Sequence, residues 1–193
     1  SILGRDPQVA ADEVLALVWP YGDLSGVREV LPTPARIDVW LGPFERGDLE
    51  AEPRRLYVAF RATKPGEPAP AQARLEEGIE LVDWHAEPTA EGQTRLDLHW
   101  RASQPMSTDY TVFVHLERDG QVVDQDDRTP GAGYYATSWW RSGDEILDTH
   151  ILDVPYDPAH DRFWVGWYEF GSMQHLRVLD RNARPGENRY ALE

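Results

Sequence analysis

Apolar and polar residues alternate most clearly in the central third of the chain. Along Tyr110–Leu116 the residues Tyr, Val, Val and Leu alternate with Thr, Phe and His, which is the period of a pleated strand. Arg118–Gly120 then predicts a turn, because Asp-Gly accepts the positive φ angles of a tight hairpin, and Gln121–Gln125 returns as the partner strand. After a predicted loop over Asp126–Gly143, the strand pattern resumes at Ile146–Asp153.

Short apolar or alternating runs recur along the rest of the chain. They lie at Glu13–Trp19, Val27–Leu31, Ala35–Leu41, Leu56–Phe60, Gly78–Ala86, Gln93–Ala102, Arg162–Glu169, Gln174–Leu179 and Asn188–Leu192. We interpret the first run as a strand buried on both faces, with a helical turn as the alternative. Trp100 shares the strand phase of Leu96 and Leu98, so we expect its indole ring to be buried.

About ten to twelve short strands, separated by turns rich in Pro and Gly, predict an all-β fold with little helix. We expect a β-sandwich of jelly-roll-like topology, because long loops connect several neighbouring strands. The prolines of Thr63–Gln72 (TKPGEPAPAQ) exclude regular strand pairing. We interpret residues 1–193 as a single β-sandwich domain that this segment crosses. The alternative is a small β unit at 1–62, a Pro-rich linker at 63–77 and the main β-sandwich at 78–193.

The composition limits the binding partners and the kinds of catalysis that this chain can have. A net charge of −15 and a pI near 4.7 argue against nucleic acid as a partner, because its phosphates would be repelled, and disfavour anionic membrane surfaces. The chain has no cysteine, which excludes disulfides, thiolate catalysis and cysteine-bound metal centres. No run of about 18 apolar residues is present, so we expect no membrane-spanning segment in this sequence.

The aromatic residues should supply much of the core. The chain has eight tryptophans, and we expect most of them inside, because each ring removes a large apolar area from water. Trp164, Trp167 and Tyr168 occupy both phases of one predicted strand and so cannot all point inward. We expect the outward rings to be covered by a loop or by the N-terminal segment. The alternative is an exposed aromatic binding face on the sheet.

The predicted loop over Asp126–Gly143 contains the main candidates for ligand binding. Aromatic rings on a sandwich loop can stack on the C–H faces of sugars, while carboxylates accept hydrogen bonds from the hydroxyl groups. The candidate ligand contacts are Tyr134, Tyr135, Trp139, Trp140, Asp126, Asp127 and Asp144. The alternative is that these adjacent aromatic residues anchor the loop on the sheet, with one ring inside and its neighbour partly exposed.

We predict no cofactor, with a calcium ion as the alternative. Asp124, Asp126 and Asp127 offer the carboxylate oxygens that calcium prefers, but their spacing is not that of an EF-hand loop. A polar strand end explains them equally. His99 and His115 share the outward phase of two strands that we expect to be neighbours, which would place a surface metal pair across one sheet. Ordinary half-exposed strand positions are the alternative.

No catalytic signature is present in the sequence. Asp148 and His150 share a strand face and could form an acid–base pair, but neither a GxSxG nor an HExxH motif accompanies them. Two carboxylates across a cleft could hydrolyse a glycoside, yet among 34 acidic residues some pair is bound to be close. We therefore expect no activity of this chain's own, with glycoside hydrolysis as an alternative.

Five motifs follow one another within about Gly78–Asp180. They are RLDLHWRA (Arg95–Ala102), DYTVFVHL (Asp109–Leu116), DGQVVDQDD (Asp119–Asp127), TSWWRSGDEILD (Thr137–Asp148) and FWVGWYE (Phe163–Glu169). In this order they resemble a module of bacterial multi-pass membrane glycosyltransferases of the dolichyl-phosphate-mannose-mannosyltransferase type. In that family the β-sandwich follows the membrane helices and lies outside the cytoplasm.

The resemblance implies an extracytoplasmic accessory module of a longer membrane protein, which grips a glycan acceptor or a lipid-linked sugar. The catalytic carboxylates of that family lie in membrane-embedded portions that have no counterpart in this sequence, so the resemblance implies no catalytic residues here. The first hypothesis is therefore a non-catalytic carbohydrate-binding module. The second is a structural or protein-interaction β-sandwich that binds no sugar.

Overall fold

Strands make up most of the structure, a computed structural model that describes residues 13–19, 23–44, 54–179 and 187–192. The strands within these ranges are β1 (Val14–Val18), β2 (Arg36–Phe44), β3 (Arg54–Thr63), β4 (Ala73–Arg74), β5 (Ile79–Pro88), β6 (Thr94–Ala102), β7 (Tyr110–Arg118), β8 (Gln121–Arg128), β9 (Glu145–Leu152), β10 (Asp161–Glu169), β11 (Gln174–His175) and β12 (Tyr190–Ala191). The helical residues described are a single turn, α1 (Val27–Val30), and 3₁₀ turns at Glu76–Gly78 and Thr137–Trp139.

These strands form two sheets over the described part of the chain. One sheet has seven strands in the order β1-β3-β2-β9-β6-β5-β4, and the other has β11-β10-β7-β8 with β12 also paired to β10. Neighbouring strands are antiparallel except β2 and β9, which are parallel at Arg36–Asp38. Over the described residues, neither sheet closes into a barrel. The prediction of an all-β, sandwich-like fold with little helix is confirmed.

The core lies between the two sheets and contains tryptophans from three elements. Trp100 on β6 is fully buried, as its strand phase predicts. Its ring meets that of Trp167 on β10 edge to face, with centroids 5.0 Å apart, and Trp140 meets Trp167 in the same way at 5.6 Å. Edge-to-face packing places the positive rim of one ring on the negative face of the other, so these contacts stabilise the joint between the sheets.

The loop between β8 and β9 packs on the inner face of the seven-stranded sheet, opposite β2 and β3. Tyr135 from this loop packs against Phe60 of β3, with ring centroids 6.1 Å apart. Gly131 lies close to Val39 of β2, where an added Cβ would be 3.0 Å from the valine side chain, and its φ of 63° favours glycine. The loop therefore covers the inner side of β2 and β3 with its own apolar residues.

Several sequence-based boundaries and placements are wrong. The run predicted over Val27–Leu31 contains the α1 turn, and β8 continues to Arg128 rather than ending at Gln125. Glu13–Trp19 contains β1, which pairs only with β3 among the described strands; it is an edge strand, with Leu17 41% exposed, and is not buried on both faces. A run of seven residues carries no information on which strands will flank it.

The predicted pairing of His99 with His115 is also wrong. His99 lies on β6 in the seven-stranded sheet, and His115 lies on β7 in the other sheet, so the two imidazoles are not cross-strand neighbours. The strands β1–β3, which precede the Pro-rich segment, join the sheet of β5 and β6 through the parallel pair of β2 and β9. The single-domain organisation stays a prediction, and this pairing is the feature that favours it.

Candidate functional site

The side chains predicted as ligand contacts do not form one surface. Tyr135, Trp140 and Asp144 are 0%, 1% and 0% exposed, so these three are interior residues and not surface contacts. Tyr134 and Trp139 are partly exposed neighbours of the two buried rings. Each aromatic pair therefore has one ring inside and one partly outside, which is the arrangement expected if these residues anchor the loop.

Polar contacts also fix this loop to the N-terminal part of the chain. The backbone oxygen of Trp139 accepts a hydrogen bond from Nε of Arg28 at 2.8 Å. The Asp144 carboxylate accepts from Nη2 of Arg28 at 3.0 Å and from the backbone N–H of Ala35 at 3.0 Å. Burial raises the pKa of Asp144, although its backbone hydrogen bonds and the charge of Arg28 oppose the rise. Asp144 is thus a structural carboxylate.

Asp126 and Asp127 point to opposite faces of β8, because side chains alternate along a strand. Asp126 points between the sheets, where its Oδ2 lies 2.8 Å from Nδ1 of His150. Asp127 lies on the other face, with its Oδ1 3.7 Å from Nε2 of His115. The carboxylates of the suggested calcium site therefore do not converge. Within the described ranges, no group of three or more His, Cys, Asp or Glu residues is arranged to hold a metal ion.

A buried ionic network lies behind Asp127. His150 is completely buried between Asp126 and Asp148, with its Nε2 3.1 Å from Oδ2 of Asp148. Arg128 adds a second cation, with Nη1 3.4 Å from Asp126 and Nη2 3.8 Å from Asp148. Gly131 donates its backbone N–H to Asp148 at 3.0 Å. The structure thus brings together Asp148 and His150, whose shared strand face allowed such a pair, and it adds Asp126 and Arg128 from β8.

The buried ionic network joins β8 of one sheet to β9 of the other. Burial by itself would lower the pKa of His150, but the charge of Asp148 and the hydrogen bonds that the imidazole donates to both carboxylates outweigh it and hold that pKa above its ordinary value. Burial would likewise raise the pKa of Asp148, and the charge of His150 holds it below its usual range. A buried imidazolium between two carboxylates has no access to a substrate, so the pair is structural.

A surface cleft of about 350 Å³ opens on the face of the five-stranded sheet that points away from the core. It is lined by Asp109, Tyr110, Thr111, Asp127, Arg128, Thr129, Tyr168 and Phe170. The register explains the lining, since Thr111 of β7 is paired with Tyr168 of β10 and both have the outward phase. Of the predicted contacts, Asp127 alone lines this cleft.

The other lining residues were not among the predicted ligand contacts, although Tyr168 was one of the rings considered for an exposed aromatic face and a signal for Thr111 was present. The inward phase of β7 is set by the valines that flank Thr111, which leaves Thr111 outward, and the same argument places Tyr168 outward next to Trp167. Nothing in the sequence indicated that β7 and β10 are neighbours. Phe170, 73% exposed, follows directly after β10 and forms the rim of the cleft.

The remaining outer face of this sheet is covered by aromatic and charged side chains. Phe113 lies over Gly166 of the neighbouring strand and packs against Tyr168, with ring centroids 6.3 Å apart. Arg189 stacks on Trp164 at 3.9 Å from the ring centroid. The outward rings of β10 are therefore largely covered, but by Phe113 of β7 and by the C-terminal segment rather than by a loop or the N-terminal segment.

Hydrogen bonds orient the acidic groups in the cleft. The Tyr168 hydroxyl donates to Oδ2 of Asp127 at 3.4 Å, and burial, with a contribution from the charge of Asp127, raises the pKa of Tyr168. Asp109 accepts the backbone N–H of Ser138 at 3.0 Å, which joins the cleft to the 3₁₀ turn that contains Trp139. Arg128 donates from Nη2 to the backbone oxygen of Thr149, so its guanidinium is directed toward β9.

The fold and the cleft together define an all-β sandwich with a polar, aromatic surface site. No family model matches the chain, and no curated protein matches it. Among solved structures it is similar to a crystal structure of an endonuclease/exonuclease/phosphatase from Beutenbergia cavernae, with 18% identity and a TM-score of 0.30. The match covers 74% of this chain and 34% of that one, so the chain spans about a third of its length. Similarity at this level assigns no function.

Proposed function

We propose that this chain is a non-catalytic accessory module that binds carbohydrate in the cleft. The observation that carries the proposal is the cleft lining, in which the exposed ring of Phe170 and the largely buried Tyr168 lie beside carboxylates and threonine hydroxyls. Sugars present apolar C–H faces to such rings and hydroxyl groups to such acceptors. The volume of about 350 Å³ lies at the lower end of the range of about 300–1,000 Å³ for small-molecule sites.

The predicted loop over Asp126–Gly143 packs beside the cleft and holds one of its walls in place. Thr137 donates its hydroxyl to the backbone oxygen of Thr108 at 2.8 Å and accepts the backbone N–H of Tyr110 at 2.9 Å. The 3₁₀ turn that begins at Thr137 therefore lies against the start of β7, next to Asp109 and Tyr110 in the cleft wall. Trp139 in this turn is partly exposed and remains a candidate for an extended contact with a longer glycan.

We further propose that the module belongs to a membrane glycosyltransferase-like protein and lies outside the cytoplasm. The support is the resemblance to the dolichyl-phosphate-mannose-mannosyltransferase type, whose motifs fall on β6, β7, β8, β10 and the loop before β9. A glycan acceptor or a lipid-linked sugar is the ligand this context implies. In the part of the chain that the structure describes, no helix is long and apolar enough to cross a membrane.

The experiment is a glycan-array screen with the whole chain, followed by affinity measurements on three variants. Phe170→Ala removes an exposed ring from the cleft rim and should weaken binding by about two- to thirteenfold, because one aromatic contact contributes about 0.5–1.5 kcal/mol. Met173→Ala is the matched control: Met173 is 58% exposed on the turn that follows Phe170 and does not line the cleft. Its affinity should equal that of the wild type.

Each other result points to a different function. If Trp139→Ala abolishes binding and Phe170→Ala does not, the site is the loop and not the cleft. Release of reducing sugar from bound oligosaccharides would favour the hydrolase alternative, for which Asp109 and Asp127 are the two carboxylates of the cleft. An array without binding, measured on folded protein, would rule out the carbohydrate proposal for the glycans tested.

The second candidate is a protein-interaction domain, and the exposed edge of the seven-stranded sheet favours it. Among the described strands β1 is paired on one side only, and Leu17 and Trp19 at this edge are 41% and 54% exposed. An edge strand with exposed apolar side chains is a surface on which another chain can add a strand. Self-association measured by analytical ultracentrifugation, abolished by Leu17→Lys, would support this candidate.

A further inference from the structure

The charges in the cleft wall are unbalanced. Asp109 and Asp127 contribute two carboxylates, and Arg128 is the one basic residue of the lining. The guanidinium of Arg128 bonds to the backbone of Thr149 and lies near Asp126 and Asp148. This cation is therefore already engaged by the interior network and does not neutralise the cleft.

Few positively charged groups lie near the two carboxylates of the cleft. Within the described residues Asp109 takes part in no ion pair and accepts one hydrogen bond, from the backbone N–H of Ser138. Asp127 has His115 as its nearest basic group at 3.7 Å, which is charged only when protonated, and the neutral hydroxyl of Tyr168 as its donor. Both carboxylates can thus accept further hydrogen bonds from a ligand.

The surroundings add to the negative potential of the cleft. The net charge of −15 acts in the same direction over longer distances and concentrates cations at the surface.

The aromatic rings and the carboxylates of the cleft together favour a positively charged ligand. An ammonium group is attracted to the faces of aromatic rings and donates charge-assisted hydrogen bonds to carboxylates. We propose that the cleft selects a sugar that carries a protonated primary amine, an unsubstituted hexosamine, over the same sugar with a hydroxyl or an N-acetyl group at that position. This inference rests on the proposed carbohydrate-binding function and names the class of ligand for the same site.

The test compares three β-1,4-linked oligosaccharides of equal length that differ only at C2, measured by calorimetry at pH 6 and low salt. Chitosan oligomers carry the amine, chitin oligomers the N-acetyl group, and cello-oligosaccharides the hydroxyl. We expect the amine form to bind about tenfold more tightly than the hydroxyl form, which is the effect of one charge-assisted hydrogen bond. Added salt should reduce this ratio by screening the carboxylates.

Two variants separate a local from a global effect of charge. Asp127→Asn removes a carboxylate from the cleft and should bring the amine-to-hydroxyl affinity ratio close to one. Asp119→Asn is the matched control, because it removes the same charge from an exposed turn outside the cleft, where the φ of 51° suits asparagine as well. The ratio in this control should stay near the wild-type value.

The outcomes distinguish the two proposals. If cello- or chitin oligomers bind as tightly as chitosan oligomers, the amine preference is wrong while carbohydrate binding stands. If Asp119→Asn lowers the ratio as much as Asp127→Asn, the preference comes from net charge, and the cleft does not select the amine. If none of the three oligosaccharides binds, and the glycan array is also blank, both the proposed function and this inference are overturned.

Discussion

At the residue scale, neighbouring identical residues have different roles because a strand turns them to opposite faces. Asp126 and Asp127 are adjacent aspartates, yet the first is part of a buried network with His150 and the second lines a surface cleft. Burial of charge is costly unless partners are close, and the carboxylates of Asp126 and Asp148 are the partners that keep His150 charged. This network attaches β8, which carries the cleft wall, to the opposite sheet.

We predict that His150→Gln destabilises the protein by about 3–5 kcal/mol, because it leaves Asp126 and Asp148 buried without the cation between them. Since the folded-state pKa of His150 is above 6.5, its contribution is complete below pH 6.5 and is lost as pH rises through the higher folded value. The pKa values of both aspartates are below 3.8, so their contribution is complete above pH 3.8 and is lost as pH falls through the lower folded values. Urea unfolding from pH 3 to 9 should therefore show the largest difference between about pH 4 and 6.5.

The control for this prediction is a histidine–aspartate pair at the surface. His160 lies 2.8 Å from Asp157, and both side chains are exposed. His160→Gln should leave the free energy of unfolding nearly unchanged, because exposed ion pairs are screened by water and salt. If His150→Gln costs no more than this control, the buried network does not contribute to stability.

At the element scale, one face of β10 packs in the core and its other face is part of the outer surface of the sheet. Phe163, Val165 and Trp167 point into the core, while Trp164 and Tyr168 point outward. The C-terminal β12 pairs with β10 at Trp164 and Val165. Gly166 lies between these outward rings, and the absence of a side chain there allows Phe113 to cover the strand.

We predict that Gly166→Ala destabilises the protein by about 1–3 kcal/mol, the usual cost of forcing an extra methyl group into a packed site. Its Cβ would overlap the Phe113 ring and would lie 2.7 Å from the backbone oxygen of Asn188. Faster amide exchange at Leu192, whose N–H bonds to Phe163 at 3.0 Å, would report the loosening of the C-terminal segment.

Gly171→Ala provides the comparison for this substitution. An added Cβ at Gly171, on the turn after β10, meets no atom within 4 Å. The free energy of unfolding of the Gly171→Ala variant, and its amide exchange at Leu192, should match those of the wild type. Equal effects of the two substitutions would mean that the steric contact with Phe113 is unimportant.

At the scale of the whole molecule, the two parts of the chain on either side of the Pro-rich segment share one sheet. β2 pairs with β9, and Tyr135 of the loop before β9 packs on Phe60 of β3. The N-terminal strands therefore bury their inner face against residues that come more than 70 positions later in the sequence. A separate unit at 1–62 would leave that face without its cover.

We predict that the chain unfolds in urea in one cooperative transition, with the same midpoint by tryptophan fluorescence and by far-UV circular dichroism. Residues on both sides of the Pro-rich segment contribute to one core, and coincident transitions are the mark of such a unit. Two separated transitions, or a chain of residues 78–193 with the native near-UV spectrum, would favour the alternative with a linker at 63–77.

Local patterns determined the elements of this protein. Alternation located β6, β7, β9 and β10, the Asp-Gly turn is present at Asp119–Gly120 with φ angles of 51° and 79°, and the phase of Trp100 predicted its burial. These features depend on residues a few positions apart, so the sequence carries them directly. Strand phase also implied that Asp148 and His150 meet.

The tertiary structure alone decided which elements are neighbours, and with them the candidate site. The cleft exists because β7 lies between β8 and β10, and the inward turn of Asp126 matters only because β9 of the other sheet supplies His150. The same reason explains why Tyr135 and Trp140, which looked like ligand contacts, are core residues: their loop packs Tyr135 on Phe60 of β3 and Trp140 on Trp167 of β10. Pairing and layer contacts join residues far apart in the chain, and short-range periodicity contains no information on such distances.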